Sequence, residues 1–205
     1  EFDRRFRDDD PMLRFDTAKV YLDGILDLGT AWMLEPYVDP VDPDRPRGFP
    51  YFTEQQLDTY VPALHDLGYR VNFHAIGDAA VRRALDAIEA LDDDAQRVTE
   101  RRHRTTHTFL VHPDDLDRFA ELGVVADVQH NPTAIDEAYQ EGLAPLIGPL
   151  ARDLIPTAAL LDAGATVTIS TDWDAGPLSP FSSIARTLDR PTQAVPDIEA
   201  VVRAM

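Results

Sequence analysis

Three things are scarce in this sequence. There is no cysteine, a single lysine (Lys19), and no apolar run of the ~18 residues a membrane-spanning helix needs. Without cysteine there are neither disulfides nor thiolate metal sites. Without the long run no transmembrane helix is read, and the charged opening EFDRRFRDDDP is not a secretory signal. There is also no serine or cysteine nucleophile motif and no phosphate-cradling glycine loop. The 205 residues and 44% hydrophobic content suffice for one domain with a sizeable core. The first residue is not methionine, so the expectation is a piece of a longer protein.

The near absence of lysine accompanies a strong charge imbalance. There are 37 acidic residues against 19 basic ones, a net charge of −18, and 18 of the basic residues are arginine. Such a surface repels polyanions, which argues against nucleic acid and anionic membranes as partners. The composition suggests a halophilic, cytoplasmic protein. The expected partner is a small-molecule substrate, and a homo-oligomer is compatible with the sequence.

What the chain does have centres on residues 70–78, RVNFHAIGD. An extended run ends in His74, and Gly77-Asp78 then breaks it and begins the helical run AAVRRALDAIEAL. Asp78 is expected to cap that helix, since a short carboxylate accepts free N–H groups at a helix start. His74 therefore stands at the carboxyl end of a strand, where catalytic residues collect in parallel α/β barrels.

The same cycle recurs along the chain. Residues 1–16 read as a polar lead-in and TAKVYL (17–22) as a strand. Residues 23–50 form a Gly-, Pro- and Asp-rich connection, too long to be ordinary. Thr53 caps a helix reaching about Leu67, with Gly68 ending it. Residues 92–100 read as a charged turn and 102–107 as a strand. HPDDLDRFAELG is a capped helix and VVADVQ a strand. An irregular excursion covers 130–155, and TAALLDAG and TVTIST form a further helix and strand. FSSIARTLDR is a helix, and another begins near Val195. Strand ends at Leu22, Phe73, His107, Val128 and Thr171 give βα units, and five are too few for a closed barrel of eight.

Several side chains at these strand ends could do chemistry. His107 ends a strand at the height of His74, one βα unit later. His103, four residues earlier, would lie about 13 Å from it along a strand, so the two cannot share a metal and His103 belongs to the core or barrel floor. Asp172 follows the apolar run TVTIS, where a carboxylate could bind metal and exchange a proton with water. His65 reads as a surface residue. His112 stands at a helix start and His130 follows a strand, and both are candidates for contact with substrate, as is Asp174.

HAIGD with its following helix resembles the "amidohydrolase 3" branch of the amidohydrolase superfamily. AKVYLDG (18–24), RHRTTHTFLVHPDDLDRFAELGVVADVQ (102–129) and LLDAGATVTISTDWDAGPLSPFSSIARTLDR (160–190) match that branch in order. The resemblance implies a distorted TIM-like (β/α) barrel, of which residues 1–205 supply roughly strands four to eight as a single domain. The family's small flanking β domain is not in this stretch. The implied activity is metal-dependent hydrolysis of C–N bonds in amides or cyclic amides. Two divalent metals, zinc by expectation, would be held by Lys19, His74, His107 and Asp172, with Asp172 also the proton carrier. Lys19 takes the place of a lysine that relatives carbamylate. An ammonium would be repelled by two divalent cations, whereas a carbamate is an anionic oxygen ligand.

The chain departs from the family at three places. Thr108 follows His107 where alanine is usual, Thr171 stands for the usual serine, and Asp174 replaces a frequent proline. The first-strand His-x-His pair has no counterpart here. Two other readings stay open: a non-catalytic or regulatory protein on the same scaffold, like relatives labelled exoenzyme regulators, and a deaminase or isomerase.

Overall fold

The computed structural model describes residues 14–92, 94–130, 137–190, 192–195 and 197–204. Five strands form one parallel sheet in sequential order: β1 (Thr17–Tyr21), β2 (Arg70–Ala75), β3 (Arg104–His107), β4 (Val125–Gln129) and β5 (Val167–Ser170). Helices make the crossovers, as parallel pairing demands. They are α1 (Glu54–Asp66), α2 (Asp78–Glu89), α3 (Ala95–Arg101), α4 (Leu116–Leu122), α5 (Glu137–Ile147) and α6 (Thr157–Asp162). After β5 come α7 (Pro180–Leu188) and α8 (Ile198–Arg203). None of the described helices is long and apolar enough to cross a membrane. The α/β barrel-type arrangement read from the sequence is the one observed.

The two faces of the sheet differ in chemistry, because side chains alternate along each strand. Val71, Phe73, Ala75, Ala126, Val128, Val167 and Ile169 are buried in the apolar core. Complete burial of one such large side chain contributes roughly 1.5–3 kcal/mol. The opposite face carries Lys19, Asn72, His74, Arg104, Thr106, Asp127, Gln129, Thr168 and Ser170, in register across the strands.

Local expectations hold at several ends. Thr53 forms a capping box with Gln56, and Gly68 adopts φ +92° just past α1. Others need correction. Residues 95–101 are helical, capped by the Asp94 carboxylate on the N–H groups of Gln96 and Arg97. The 130–155 excursion contains α5 and the 3-10 segment Gly148–Asp153. Its residues 131–136 and the lead-in 1–13 lie outside the described residues. Asp78 does not cap α2, because Gly77 holds the N-cap position. Instead Asp78 Oδ1 accepts the N–H of Leu34 (2.8 Å) as well as that of Ala79 (3.0 Å).

That bond belongs to the docking of residues 23–50. The segment has almost no regular structure, yet Leu26, Ala31, Met33 and Tyr37 are buried. Backbone bonds fold it on itself, Met33 N–H to Arg47 O (2.9 Å) and Tyr37 N–H to Pro46 O (2.7 Å). It also lies directly on the β2–α2 turn. A Cβ on Gly77 would stand 2.0 Å from Trp32 O and 2.6 Å from Trp32 C, both backbone atoms that cannot swing aside. Gly77→Ala should therefore destabilise the fold by about 3 kcal/mol or more, the cost of overpacking against rigid neighbours. Urea unfolding measures it, and an unchanged midpoint would show that the segment does not sit on this turn.

Candidate active site

The carboxyl ends of the strands open into a pocket of about 550 Å³. His74, His107 and Asp172 line it together with Tyr21, Asp27, Phe109 and Tyr139. The strand ends thus bring three of the four sequence-predicted metal ligands into one cavity. Lys19 lies one step down β1 on the same face, its Nζ 5.3 Å from the Tyr21 ring centre. Partial burial lowers the Lys19 pKa, while Asp127 and Asp172 act in the opposite sense.

His74 is fixed from three directions. Its ring stacks on Tyr21 and meets the His107 ring edge-on, each with centroids 4.5 Å apart. Its Nε2 lies 3.0 Å from Gly24 O, an atom that can only accept. The proton is therefore on Nε2, and Nδ1 carries a lone pair. Nδ1 is buried and has no hydrogen-bond partner. Burial lowers the His74 pKa. Burial, then the neighbouring His74 and Lys19, pushes His107 down to about 3. Both rings are neutral near pH 7.

The backbone around His107 is unusual. His107 (φ 80°) and Thr108 (φ 49°) are both left-handed, as is Asp172 (φ 52°). Such conformations cost of order 1–3 kcal/mol each and persist where neighbours over-determine them. Here Thr108 is fully buried, its hydroxyl 2.8 Å from that of Thr105 and its N–H bonded to Ala75 O (2.9 Å). The threonine that departs from the family pattern thus helps hold the turn that aims His107.

The remaining predicted residues lie elsewhere. His130 is fully buried between α6 and α7, with Nε2 2.8 Å from Thr157 Oγ1 and 3.2 Å from Arg190 Nη1. Its other nitrogen faces Thr187 Oγ1. His112 precedes a 3-10 turn, accepts the Asp114 N–H and lines a separate cavity of about 330 Å³ with Asp78 and Arg82. Asp174 is exposed on the turn after Asp172. His65 is not a surface residue: it is 1% exposed, its Nδ1 3.0 Å from His103 Nε2. That pair sits before β3, at the other end of the sheet, as the floor position of His103 implied.

Sequence reasoning passed over several residues. Asp23 is fully buried, and its carboxylate accepts N–H groups of Ile76 (3.0 Å), Gly77 (2.8 Å) and Trp32 (2.9 Å). Burial pushes its pKa up to about 7 against the pull of those three bonds. Asp127 accepts from Thr168 (2.8 Å) and Gln129 (3.0 Å) on the open face. Asp127 and Gln129 could have been found from strand alternation, which puts them on the face of Lys19 and His74. Tyr139 comes from the helical excursion, and no local signal marks it.

Among the described residues, no three His, Asp or Glu side chains converge closely enough to enclose a metal ion. The donor chemistry nevertheless fits one. Two neutral imidazoles pack edge to face, one offers an orphaned nitrogen lone pair, and a carboxylate stands in the same cavity.

A family model described as "Amidohydrolase family" matches residues 3–203. The chain is 28% identical to Protein LONG AFTER FAR-RED 3 of Arabidopsis thaliana, over 84% of this chain and 29% of that protein. It is 27% identical to the putative amidohydrolase YtcJ of Bacillus subtilis, over 85% of this chain and 31% of that one. Among solved structures, an uncharacterized metal-dependent hydrolase from Pyrococcus furiosus superposes with a TM-score of 0.76 at 27% identity. That match covers 94% of this chain and 39% of that one. The chain thus spans less than a third of the length of these two curated relatives.

Proposed function

The chain belongs to the amidohydrolase family, and from that premise we propose that it carries part of the active site of a metal-dependent hydrolase of carbon–nitrogen bonds in amides or cyclic amides. The observation that carries this reading is the buried, unpartnered Nδ1 of His74, on a ring packed against that of His107. His74 and His107 would hold a divalent metal, zinc by its preference for neutral imidazole. Asp172 and Lys19 would complete the donors this chain offers to a two-metal site. When bound, the metal supplies Lewis-acid polarisation of the amide carbonyl and lowers the pKa of water.

The chain's own residues do the rest. Asp172, exposed in the pocket, accepts a proton from the attacking water and delivers it to the departing nitrogen. Tyr21, Phe109 and Tyr139 wall the cavity and seat the apolar part of a substrate. Lys19 acts as a carbamate. Carbon dioxide adds only to a neutral amine, and the partial burial of Lys19 favours that form.

The test uses the full-length polypeptide that contains this chain, screened with added zinc against a library of amides and cyclic amides. Zinc-dependent amine release or ring opening is expected, and Lys19→Arg should lower it at least about 100-fold, because guanidinium stays cationic and forms no carbamate. Full activity in Lys19→Arg would return Lys19 to a structural cation. No turnover of any C–N substrate would overturn the proposed reaction.

A further inference from the structure

The Asp23 carboxylate lies 3.6 Å from His74 Nε2 and bonds the turn that follows His74, without lining the pocket. Its carboxylate gathers the N–H groups of Ile76 and Gly77, the second and third residues after His74, and that of Trp32 from the 23–50 segment. The next residue, Gly24, turns its carbonyl onto His74 Nε2 at 3.0 Å. The Gly24 peptide is clamped on its other side too. Gly24 N–H bonds Thr30 O (3.1 Å), Ile25 N–H bonds Thr30 Oγ1 (3.0 Å), and a Cβ on Gly24 would meet Thr30 Oγ1 at 2.1 Å. Leu22 N–H to His74 O (3.0 Å) ties the strand ends together.

From this arrangement we infer that Asp23 is a positioning residue: docking of residues 23–50 through its carboxylate holds the Gly24 carbonyl on His74 Nε2 and so keeps the proton there and the lone pair on the unpartnered Nδ1. The proton and the lone pair of His74 are sorted by a carbonyl that belongs to the long connection after β1, not to β2. Partners of this kind on the remote nitrogen of a ligating histidine fix ring orientation and raise basicity, and losing one typically costs 10–100-fold in metal affinity. The inference rests on the proposed role of His74 as a ligand, yet its central claim, the ordering of the ring by Asp23, can be read without metal.

The experiment is nitrogen-15 NMR of the histidine side chains in the full-length polypeptide that contains this chain, comparing wild type, Asp23→Asn and Gly77→Ala. Asp23→Asn keeps the shape but replaces one acceptor oxygen by an amide that cannot accept. Gly77→Ala lifts the segment from beneath while leaving Asp23 intact. In the wild type the His74 Nε2–H should be visible, slow to exchange and coupled to the Gly24 carbonyl. Both variants should lose that protected signal. The His103 ring, held by Val71 N–H at the far end of the sheet, should keep its own signals and so report an intact fold. A zinc chloride titration should show at least a tenfold weaker effect on the His74 and His107 nitrogens in Asp23→Asn. An unchanged protected His74 signal in Asp23→Asn, with His103 intact, overturns the inference. Should that signal vanish in Asp23→Asn while zinc perturbs neither histidine in wild type, the positioning role stands and the ligand reading of the proposed function falls. Should Asp23→Asn fail to fold, Gly77→Ala carries the same comparison. If Gly77→Ala also unfolds, Asp23→Glu, which keeps both acceptor oxygens, must restore the protected signal, and its failure to do so overturns the inference.

Discussion

Asp172→Asn should cut turnover of a C–N substrate by the full-length hydrolase about 10²–10⁴-fold, the range for removing a positioned proton-transfer group. The substitution is unusually clean at this position. Asp172 has φ 52°, and asparagine tolerates the left-handed region better than most residues. The turn should survive, with Gly176 N–H still bonded to residue 172 O (2.8 Å). The carboxylate's capacity to take a proton is lost, together with its charge as a proposed metal donor, so metal content is measured alongside kcat. The fall should appear in kcat with KM moving little, because a proton-transfer group acts mainly in the transition state. Asp117→Asn, on an exposed position of α4, serves as the control and should leave kcat unchanged. A kcat within a few-fold of wild type in Asp172→Asn would remove Asp172 from proton transfer.

The second large effect is acid sensitivity of the fold. His103 Nδ1 accepts the Val71 N–H (3.0 Å), so its proton sits on Nε2 and points at His65 Nδ1. Burial, then His65 and the nearby arginines Arg101 and Arg70, pushes the His103 pKa down to about 3. Burial and Arg190 push His130 down to about 3 as well. An unfolded histidine titrates near 6.5. Between those values the unfolded chain binds protons that the folded one refuses. The stability these neutral histidines permit is therefore fully present above about pH 6.5 and lost as pH falls towards 3. Each pKa unit corresponds to about 1.4 kcal/mol, so the pair removes several kcal/mol, a large part of the 5–15 kcal/mol typical of a domain.

Asp23 works in the opposite direction. Its folded pKa, near 7, lies above the unfolded carboxylate value. Its contribution is present at low pH and declines as pH rises through 7. Urea unfolding from pH 8 to 4.5 should therefore show a maximum near neutrality and a steep acid limb. Partial neutralisation of the −18 charge in acid relieves self-repulsion and opposes that limb, so the decisive comparison is with His103→Gln. Glutamine can accept from Val71 and donate to His65 without titrating, and its acid limb should be shallower. Equal acid limbs in the two proteins would exclude the His65–His103 pair as the cause.

Much of this architecture was legible in the chain. The extended runs TAKVYL and TVTIST, the helix cap Thr53 and the helix-ending Gly68 report local physics: strand propensity, orphan N–H groups, a left-handed turn. Local physics is also why the sequence alone places His74, His107 and Asp172 at one rim. Each ends a strand, and parallel strands in sequential order put all such ends on one side.

What the sequence could not decide is how distant segments use the same atoms. Asp78 has the right type and place for a helix cap, yet it serves Leu34, because the 23–50 segment comes to lie on that turn. His65 has a polar side chain on an amphipathic helix and reads as exposed. It is buried because His103, 38 residues away, offers a hydrogen bond that offsets its desolvation. His130 follows a strand like the site histidines but points into a network built by Thr157, Thr187 and Arg190. Asp23 had no visible role at all until the fold delivered three N–H groups to its carboxylate. The sequence by itself determined the strands, their common rim and the residue types that could meet there. Only the tertiary structure decided which nitrogen of His74 is free, since a tautomer is set by the partner on the other side of the ring, and that partner, Gly24 O, lies 50 residues back along the chain.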